Sequence, residues 1–372
     1  MLMSCGALVA LGAFFAVGCA LLNLASGFAQ NPGIGLLSLV NAVALVIPYL
    51  MAILWLDRNE KEPPLLIITA LFWGAVMATG ASCLVNSVFG AIIGGIVQDP
   101  AAASQLTASL SAPPVEETTK GLALLFIWLF FKKDFDNVLD GIIYGALVGL
   151  GFAVFENFLY YARNETTEGV FALTFLRGVV AAVGSHPCYT ALTGAGFGLF
   201  RVMRKGVLRW FMPVGGWILA MFVHFSWNTF TGWFLGMAES DAEALFIWAP
   251  LAGLVIHVPF VLLVVVVSAV TLWHEHGLIK KYLSNEKAPV LHEGELKILV
   301  PAFRRGLHTM WLFITFRWGM WWTRRKRNHL LIKLAFERWH MDKEADQHDS
   351  AEKARSVLQL REQLTALVPE DL

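Results

Sequence analysis

The feature that most limits how this chain can fold is a series of apolar runs long enough to cross a lipid bilayer. They fall at roughly 7–29, 34–56, 65–95, 113–131, 138–162, 180–201, 211–235 and 247–273. Inside hydrocarbon every backbone N–H and C=O must be satisfied by the protein itself, which leaves helices or closed barrels. These runs lack the period-two alternation of barrel strands. The expected fold is therefore all-α, a polytopic transmembrane helical bundle of about eight spans. Only 15% of residues are charged, where a soluble domain has about a quarter, so composition agrees. The third run is long and broken by glycines, which predicts a tilt, a kink or an early end. Ser185-His186-Pro187 can break the start of the sixth. No basic residue precedes the first run, which reads as a retained helix rather than a signal peptide. Four scattered cysteines show neither a disulfide framework nor zinc-knuckle spacing.

Net charge is zero, yet the charges are segregated. Arg58 and Lys61, Lys132 and Lys133, and Arg201, Arg204, Lys205 and Arg209 occupy alternate connections. The other connections hold Arg163 and Arg177 among Asp99, Glu165, Glu168, Glu239, Asp241 and Glu243. The excess of Lys and Arg on cytoplasmic loops then predicts a multi-pass protein of the cell (inner) membrane. Both termini would be cytoplasmic, with the connections near 96–112, 163–179 and 236–246 outside. Residues 1–273 form the expected membrane domain, and 274–372 a basic, Trp-rich, helical cytoplasmic tail. That tail holds 17 of the 28 Lys and Arg. Leu307–Trp322 is aromatic but too short to span, and Arg324-Arg325-Lys326-Arg327 follows it. This pattern suits either a helix on the anionic leaflet or a small cytosolic bundle. His274-Glu275-His276 reads as a solvated helix boundary.

Four spans carry polar residues that hydropathy does not explain. The fourth opens on Pro113-Pro114-Val115-Glu116-Glu117-Thr118-Thr119-Lys120, with the prolines suited to a first helical turn. Glu116 and Glu117 lie four and three residues before Lys120, so the three share a face. The fifth has Glu156, Asn157 and Tyr160, the sixth His186, and the seventh His224, Trp227 and Asn228. At 1.5 Å rise per residue, Glu116, Glu117, Glu156, His186, His224 and Asn228 all lie about 5–18 Å below the outer surface. Their helices alternate in direction, so unrelated polar residues would scatter over both leaflets. One polar cavity opening to the outer face is expected. Glycines at 141, 145 and 149, and at 194 and 198, repeat at four and predict close helix packing. Asp140 reads as an N-cap, and His257 as a packed or interior-facing histidine.

Three carboxylates, two imidazoles, an amide and an ammonium suit attack by water. A carboxylate in a low-dielectric cavity can take a proton from water near neutral pH, and His or Asn donors can hold the developing oxyanion. Ser185 and Ser226 lack a base facing them from helical spacing, which disfavours a covalent serine mechanism. No cofactor is favoured. Zinc is the alternative, held by His186, His224 and Glu156 with one position open for water, although no H-E-x-x-H occurs. A proton-coupled transporter or ion pathway is the rival from another class, since membrane Glu and His also serve as relays. Against it, no internal repeat is visible, and the polar residues do not continue across both leaflets.

Four ordered motifs resemble one family. Glu116-Glu117-x-x-Lys120, Phe155-Glu156-x-x-x-Tyr160, His186 followed by Gly194, and His224-x-x-Trp227-Asn228 are similar to the PrsW family of intramembrane proteases. These are related to the CAAX-prenyl and bacteriocin-processing enzymes. The resemblance covers about 110–235. It implies an endopeptidase acting on a membrane-anchored protein, such as an anti-sigma factor, near the extracytoplasmic face. It further implies that Glu116 or Glu117 activates water while His224 and Asn228 form an oxyanion hole. In that reading Lys120 tunes the glutamates, Glu156 and His186 assist, and Tyr160 and Trp227 shape the site. The family is also labelled metalloprotease. Peptide maturation of the CAAX type is the enzymatic alternative. The expected partners are a membrane-anchored substrate and the bilayer, with no nucleic acid.

Overall fold

The computed structural model describes residues 2–181, 184–203, 206–237, 242–343 and 347–367. Among them every regular element is helical. The chain runs through α1 (Leu2–Ala29), α2 (Pro32–Ala44), α3 (Val46–Leu56), α4 (Pro64–Phe72), α5 (Thr79–Ile96), α6 (Pro100–Leu106), α7 (Ala112–Phe130), α8 (Val138–Ala162) and α9 (Thr167–Phe175). It continues through α10 (His186–Val202), α11 (Leu208–Met237), α12 (Ala242–Ile256) and α13 (Val258–Leu283). The last four helices are α14 (Glu295–Leu299), α15 (Ala302–Ile314), α16 (Trp318–Lys343) and α17 (Gln347–Thr365). Three π-helical turns, Trp73–Ala78, Thr107–Ser111 and Leu176–Val180, join or extend these helices.

Among the described residues, six segments are long and apolar enough to cross a membrane: 11–29, 32–56, 64–96, 138–162, 208–232 and 258–283. The eight expected spans differ from these six for physical reasons. α7 carries Glu116, Glu117 and Lys120, and α10 is only 17 residues long. The last expected span, 247–273, is instead divided near His257, and the apolar helix runs on to Leu283. The third is continuous from 64 to 96 and carries the π-helical turn Trp73–Ala78. The paired prolines fall in the first turn of α7, as expected, and α7 follows α6 and the π-helical turn Thr107–Ser111 without a break, so helical structure reaches back to Pro100. A proline lacks the N–H for the i→i−4 bond, and a widened turn accommodates that loss. The glutamates therefore sit mid-helix.

The described residues fall into two compact units: Met1–Leu56 with Glu62–Ser268, and Asp57–Lys61 with Ala269–Leu372. In the first, α8 is the central helix, with 83% of its apolar window buried. Asn137 caps it, and Asp140 at N3 accepts from the Asn137 N–H at 2.9 Å, so Asp140 completes a capping box rather than being the cap itself. Glycines bring α8 onto α10. A Cβ on Gly141 or Gly194 would collide with the other's carbonyl, and one on Gly149 would collide with the carbonyl of His186. Gly149→Leu should therefore lower stability by about 1–3 kcal/mol and displace His186. Thermal unfolding in detergent measures this, and an unchanged midpoint would contradict the packing.

The second unit has a core of its own, with Ile279, Leu283, Leu299, Leu331, Leu334 and Leu364 fully or nearly buried. Arg324 and Arg327 are 1% and 0% exposed and converge on Glu295 at 2.9 and 2.6 Å. Arg327 also donates to the carbonyls of Val290, Leu364 and Leu367. Half of the Arg324-Arg325-Lys326-Arg327 run is thus an internal clasp. Glu275 is buried and accepts from Asn59 at 2.8 Å, so it is not the solvated boundary that His274-Glu275-His276 predicted.

Candidate active site

One face of α7 supplies three ionisable groups, and all are buried. The Lys120 Nζ lies 2.8 Å from Glu117 Oε1 and 3.5 Å from Glu116 Oε2. It also lies 3.8 Å from the centre of the Phe152 ring, where a cation is attracted to the π face. Thr119 anchors this part of α7, its carbonyl accepting from Trp73 Nε1 and its hydroxyl meeting Ser82 at 2.8 Å.

His186 is the first residue of α10, where Pro187 needs no N–H partner. Its Nδ1 is 2.9 Å from Lys120 Nζ. An ammonium only donates, so Nδ1 accepts and Nε2–H donates to Glu156 Oε2 at 2.8 Å. Arg177, in the π-helical turn after α9, donates to the same oxygen at 2.6 Å and to Asn157 Oδ1 at 3.1 Å. Its guanidinium covers the Tyr160 ring at 3.7 Å. On α11, His224 Nδ1 donates to Glu117 Oε1 at 3.0 Å, which turns the lone pair of Nε2 toward Glu116 Oε2, 4.0 Å away.

Glu116, Glu117, Lys120, Glu156, His186 and His224 thus form one continuous network. Glu116, Glu117, Lys120, His186 and His224 are buried within it. Its most accessible edge is the Glu156–Arg177 pair, with side chains 21% and 27% exposed. An apolar groove of about 570 Å³ between α5 and α7 is lined by Val85, Phe89, Pro114 and Val115. The groove meets α7 on the face opposite the carboxylates. Asn228 does not join the network: its Nδ2 donates to the carbonyl of Ala108, and its own carbonyl accepts from Gln105. Trp227 packs on His257, with ring centres 4.3 Å apart.

The sequence alone gives no role to Arg177 or Tyr189, and it reads His257 as packed or interior-facing, as the burial of His257 bears out. Arg177 counts there as outer-loop charge, although a lone arginine within Phe171–Val180 is itself a signal. Tyr189 stacks on His224 at 5.0 Å, and its hydroxyl meets His257 Nε2 at 2.7 Å. His257 therefore has a polar partner that is remote in sequence.

The cluster fits a divalent metal. Glu116 Oε2 is buried without a hydrogen-bond partner, and Glu116, His186 and His224 offer donor atoms within 4.8 Å of one another. Two imidazoles and a carboxylate suit zinc with one position open. Each imidazole also has a carboxylate on its other nitrogen, Glu117 for His224 and Glu156 for His186, the usual outer support for a metal-binding histidine. Glu156 is thus placed to orient His186, and Glu116, not the expected Glu156, is the carboxylate grouped with the free nitrogens of both imidazoles.

A family profile described as PrsW family intramembrane metalloprotease matches residues 62–270, more than half of the chain. The chain belongs to this family. It is a membrane-embedded peptidase, which sets aside the transport reading. The Protease PrsW of Geobacillus kaustophilus (strain HTA426) is 29% identical over 189 residues, 50% of this chain and 76% of the relative. That of Clostridioides difficile (strain 630) is 32% identical over 147 residues, covering 39% and 58%. That of Bacillus subtilis (strain 168) is 32% identical over 104 residues, covering 28% and 44%. The chain thus spans about half the length of the last two. No solved structure matches. All the network residues lie inside the PrsW match, whereas residues 271–372 lie outside it.

Proposed function

We propose that this protein hydrolyses a peptide bond in a membrane-anchored protein, of which an anti-sigma factor is one candidate, with Glu116 as the base. The observation that carries the reading is the pairing of charges. Lys120 neutralises Glu117 at 2.8 Å, and Arg177 neutralises Glu156 at 2.6 Å. Three carboxylates face two permanent cations, and Glu116 is the carboxylate left over. Its Oε2 and the Nε2 of His224, 4.0 Å apart, are spaced for one water to donate to both. Glu116 takes the proton as the water attacks the carbonyl, and later returns it to the leaving amine. Glu117 fixes the His224 ring, and Glu156 with Lys120 fixes His186. Asn228 uses one amide hydrogen on Ala108 and has a second for the oxyanion. The Glu156–Arg177 edge lies near the connection between α8 and α9, which the Lys/Arg distribution puts outside with both termini cytoplasmic. Substrate approach from that side follows.

A second reading is favoured by the convergence of Glu116, His186 and His224. A zinc ion held by these three would supply Lewis-acid activation of water. In that arrangement Lys120 yields the Nδ1 of His186, while Glu117 and Glu156 keep both rings in orientation. Purified protein in detergent, given a single-span substrate with a short extracytoplasmic stub, tests both readings. Wild type should cleave, and His186→Ala and His224→Ala should each lose on the order of 10²-fold. Full cleavage by both variants would sink the site. Activity undiminished by a chelator selects the residue-only mechanism, and loss restored by zinc selects the metal.

A further inference from the structure

α15 is built inside out for a helix of a water-exposed unit. Phe303, Leu307, Met310 and Ile314 recur at i, i+4, i+7 and i+11, so they form one stripe. All four are exposed, Phe303 at 77%. The opposite face turns inward and carries Arg305 and Leu312, buried at 8% and 0%. Arg305 donates to Leu299 O at 2.9 Å and to Asn59 Oδ1 at 2.6 Å, so its inward position is held by hydrogen bonds. Arg305 and Leu312 are therefore committed to the interior, and a stripe of four large apolar side chains is left outside. A soluble helix does the reverse.

The apolar surface continues past the end of α15. Phe316, Trp318 and Trp322 are exposed as well, and Phe313 gathers Trp318 and Trp321 at 4.7 and 5.5 Å. A contiguous patch of this kind is more than a water-exposed surface normally carries. Cations border it. Arg317 lies 4.7 Å from the Trp311 ring, Arg325 lies 5.4 Å from Trp321, and Arg304 is exposed beside Phe303. Tryptophan with arginine at the margin of an apolar stripe is the composition of the bilayer interface, and the arginines match an anionic leaflet. The tether agrees: only residues 284–301 separate α15 from α13, the last apolar spanning helix.

We infer that α15 and the first turns of α16 form a lipid-binding surface. The Phe303–Leu307–Met310–Ile314 stripe and the Trp318/Trp322 rings are sunk in the headgroup–acyl boundary of an anionic bilayer. The C-terminal unit is thus a membrane-contacting module that meets the bilayer through a helix of its own, in addition to the chain continuity that α13 provides. This adds a membrane contact that lies outside the peptidase match and does not depend on the catalytic reading.

The test uses the full chain in proteoliposomes of phosphatidylcholine with one-quarter phosphatidylglycerol. The photocrosslinker p-benzoylphenylalanine replaces Leu307, Met310 or Ile314 in turn, and exposed Lys333 on α16 as the reference. Phospholipid adducts should form at the three stripe positions on the order of tenfold more than at Lys333. Omitting phosphatidylglycerol should lower the yield. Crosslinks to protein in place of lipid would assign the stripe to a protein partner or a second copy and overturn the inference. Yields equal to Lys333 would place it in water and do the same. Peptidase activity of each variant, carried by the other unit, reports that the chain is folded.

Discussion

Glu116→Gln should abolish peptide cleavage, by on the order of 10³-fold, while leaving the protein at least as stable as wild type. The two halves of this expectation come from one observation. Glu116 Oε2 is buried, accepts no hydrogen bond, and has Lys120 only at 3.5 Å. An uncompensated buried negative charge is costly, so exchanging it for a neutral amide of the same shape removes a destabilising term. What disappears is the capacity to take a proton. Glu117→Gln should behave differently. Glu117 accepts from Lys120 at 2.8 Å and from His224 at 3.0 Å, with both partners buried. Neutralising it weakens two charge-assisted hydrogen bonds, so both stability and activity fall. Turnover of a single-span substrate and unfolding midpoints in detergent separate the cases. If Glu116→Gln lost as much stability as Glu117→Gln, Glu116 would not be the unmatched carboxylate. Zinc content of the two purified variants distinguishes base from ligand: a ligand role lowers it in Glu116→Gln.

The motif residues of α7, α8, α10 and α11 were legible because each is an ionisable group in an apolar run, where chance rarely puts one. Of the residues that rise per residue puts at a common level, Glu116, Glu117, Glu156, His186 and His224 are linked by direct contacts through Lys120, whereas Asn228 pairs with Ala108 and Gln105 instead. The close approach of α8 to α10 was legible from glycines at a spacing of four. The place of Pro113 and Pro114 in the first turn of α7 was legible too, but the unbroken helical stretch before it, from Pro100 through the π-helical turn Thr107–Ser111, was not. Hydropathy does not encode a widened turn. Arg177 was hidden because its partner, Glu156, is 21 positions away on another helix. The pairing of Tyr189 with His257 was hidden in the same way, since a tyrosine in an apolar helix reads as packing. In the tail, Arg324-Arg325-Lys326-Arg327 looked like one cationic patch. Helical spacing turns Arg324 and Arg327 together onto Glu295 and leaves Arg325 and Lys326 outside. The clasp needed the knowledge that Glu295 lies opposite, which no local pattern supplies.

Lys120→Met should destabilise the membrane unit by about 3–5 kcal/mol, the largest stability loss expected of any single change in the site. The ammonium is fully buried and serves Glu117, Glu116, His186 Nδ1 and the Phe152 ring at once. Methionine fills much the same volume, so the loss is one of charge rather than packing. Removing the cation raises the imbalance around it from one surplus carboxylate to two. Adding Glu116→Gln returns the balance to one, and the double variant should regain part of the stability. A coupling of about 1–3 kcal/mol is expected, since the two groups share partners. The double variant should remain inactive, because the base is absent. Denaturant unfolding of the four proteins in detergent gives the cycle. Strictly additive losses would mean that Lys120 and Glu116 do not interact across their 3.5 Å separation, and the account of one cation shared by the carboxylate pair would go with it. Recovered stability without recovered activity is the outcome that assigns Lys120 to holding the carboxylate pair and Glu116 to the chemistry.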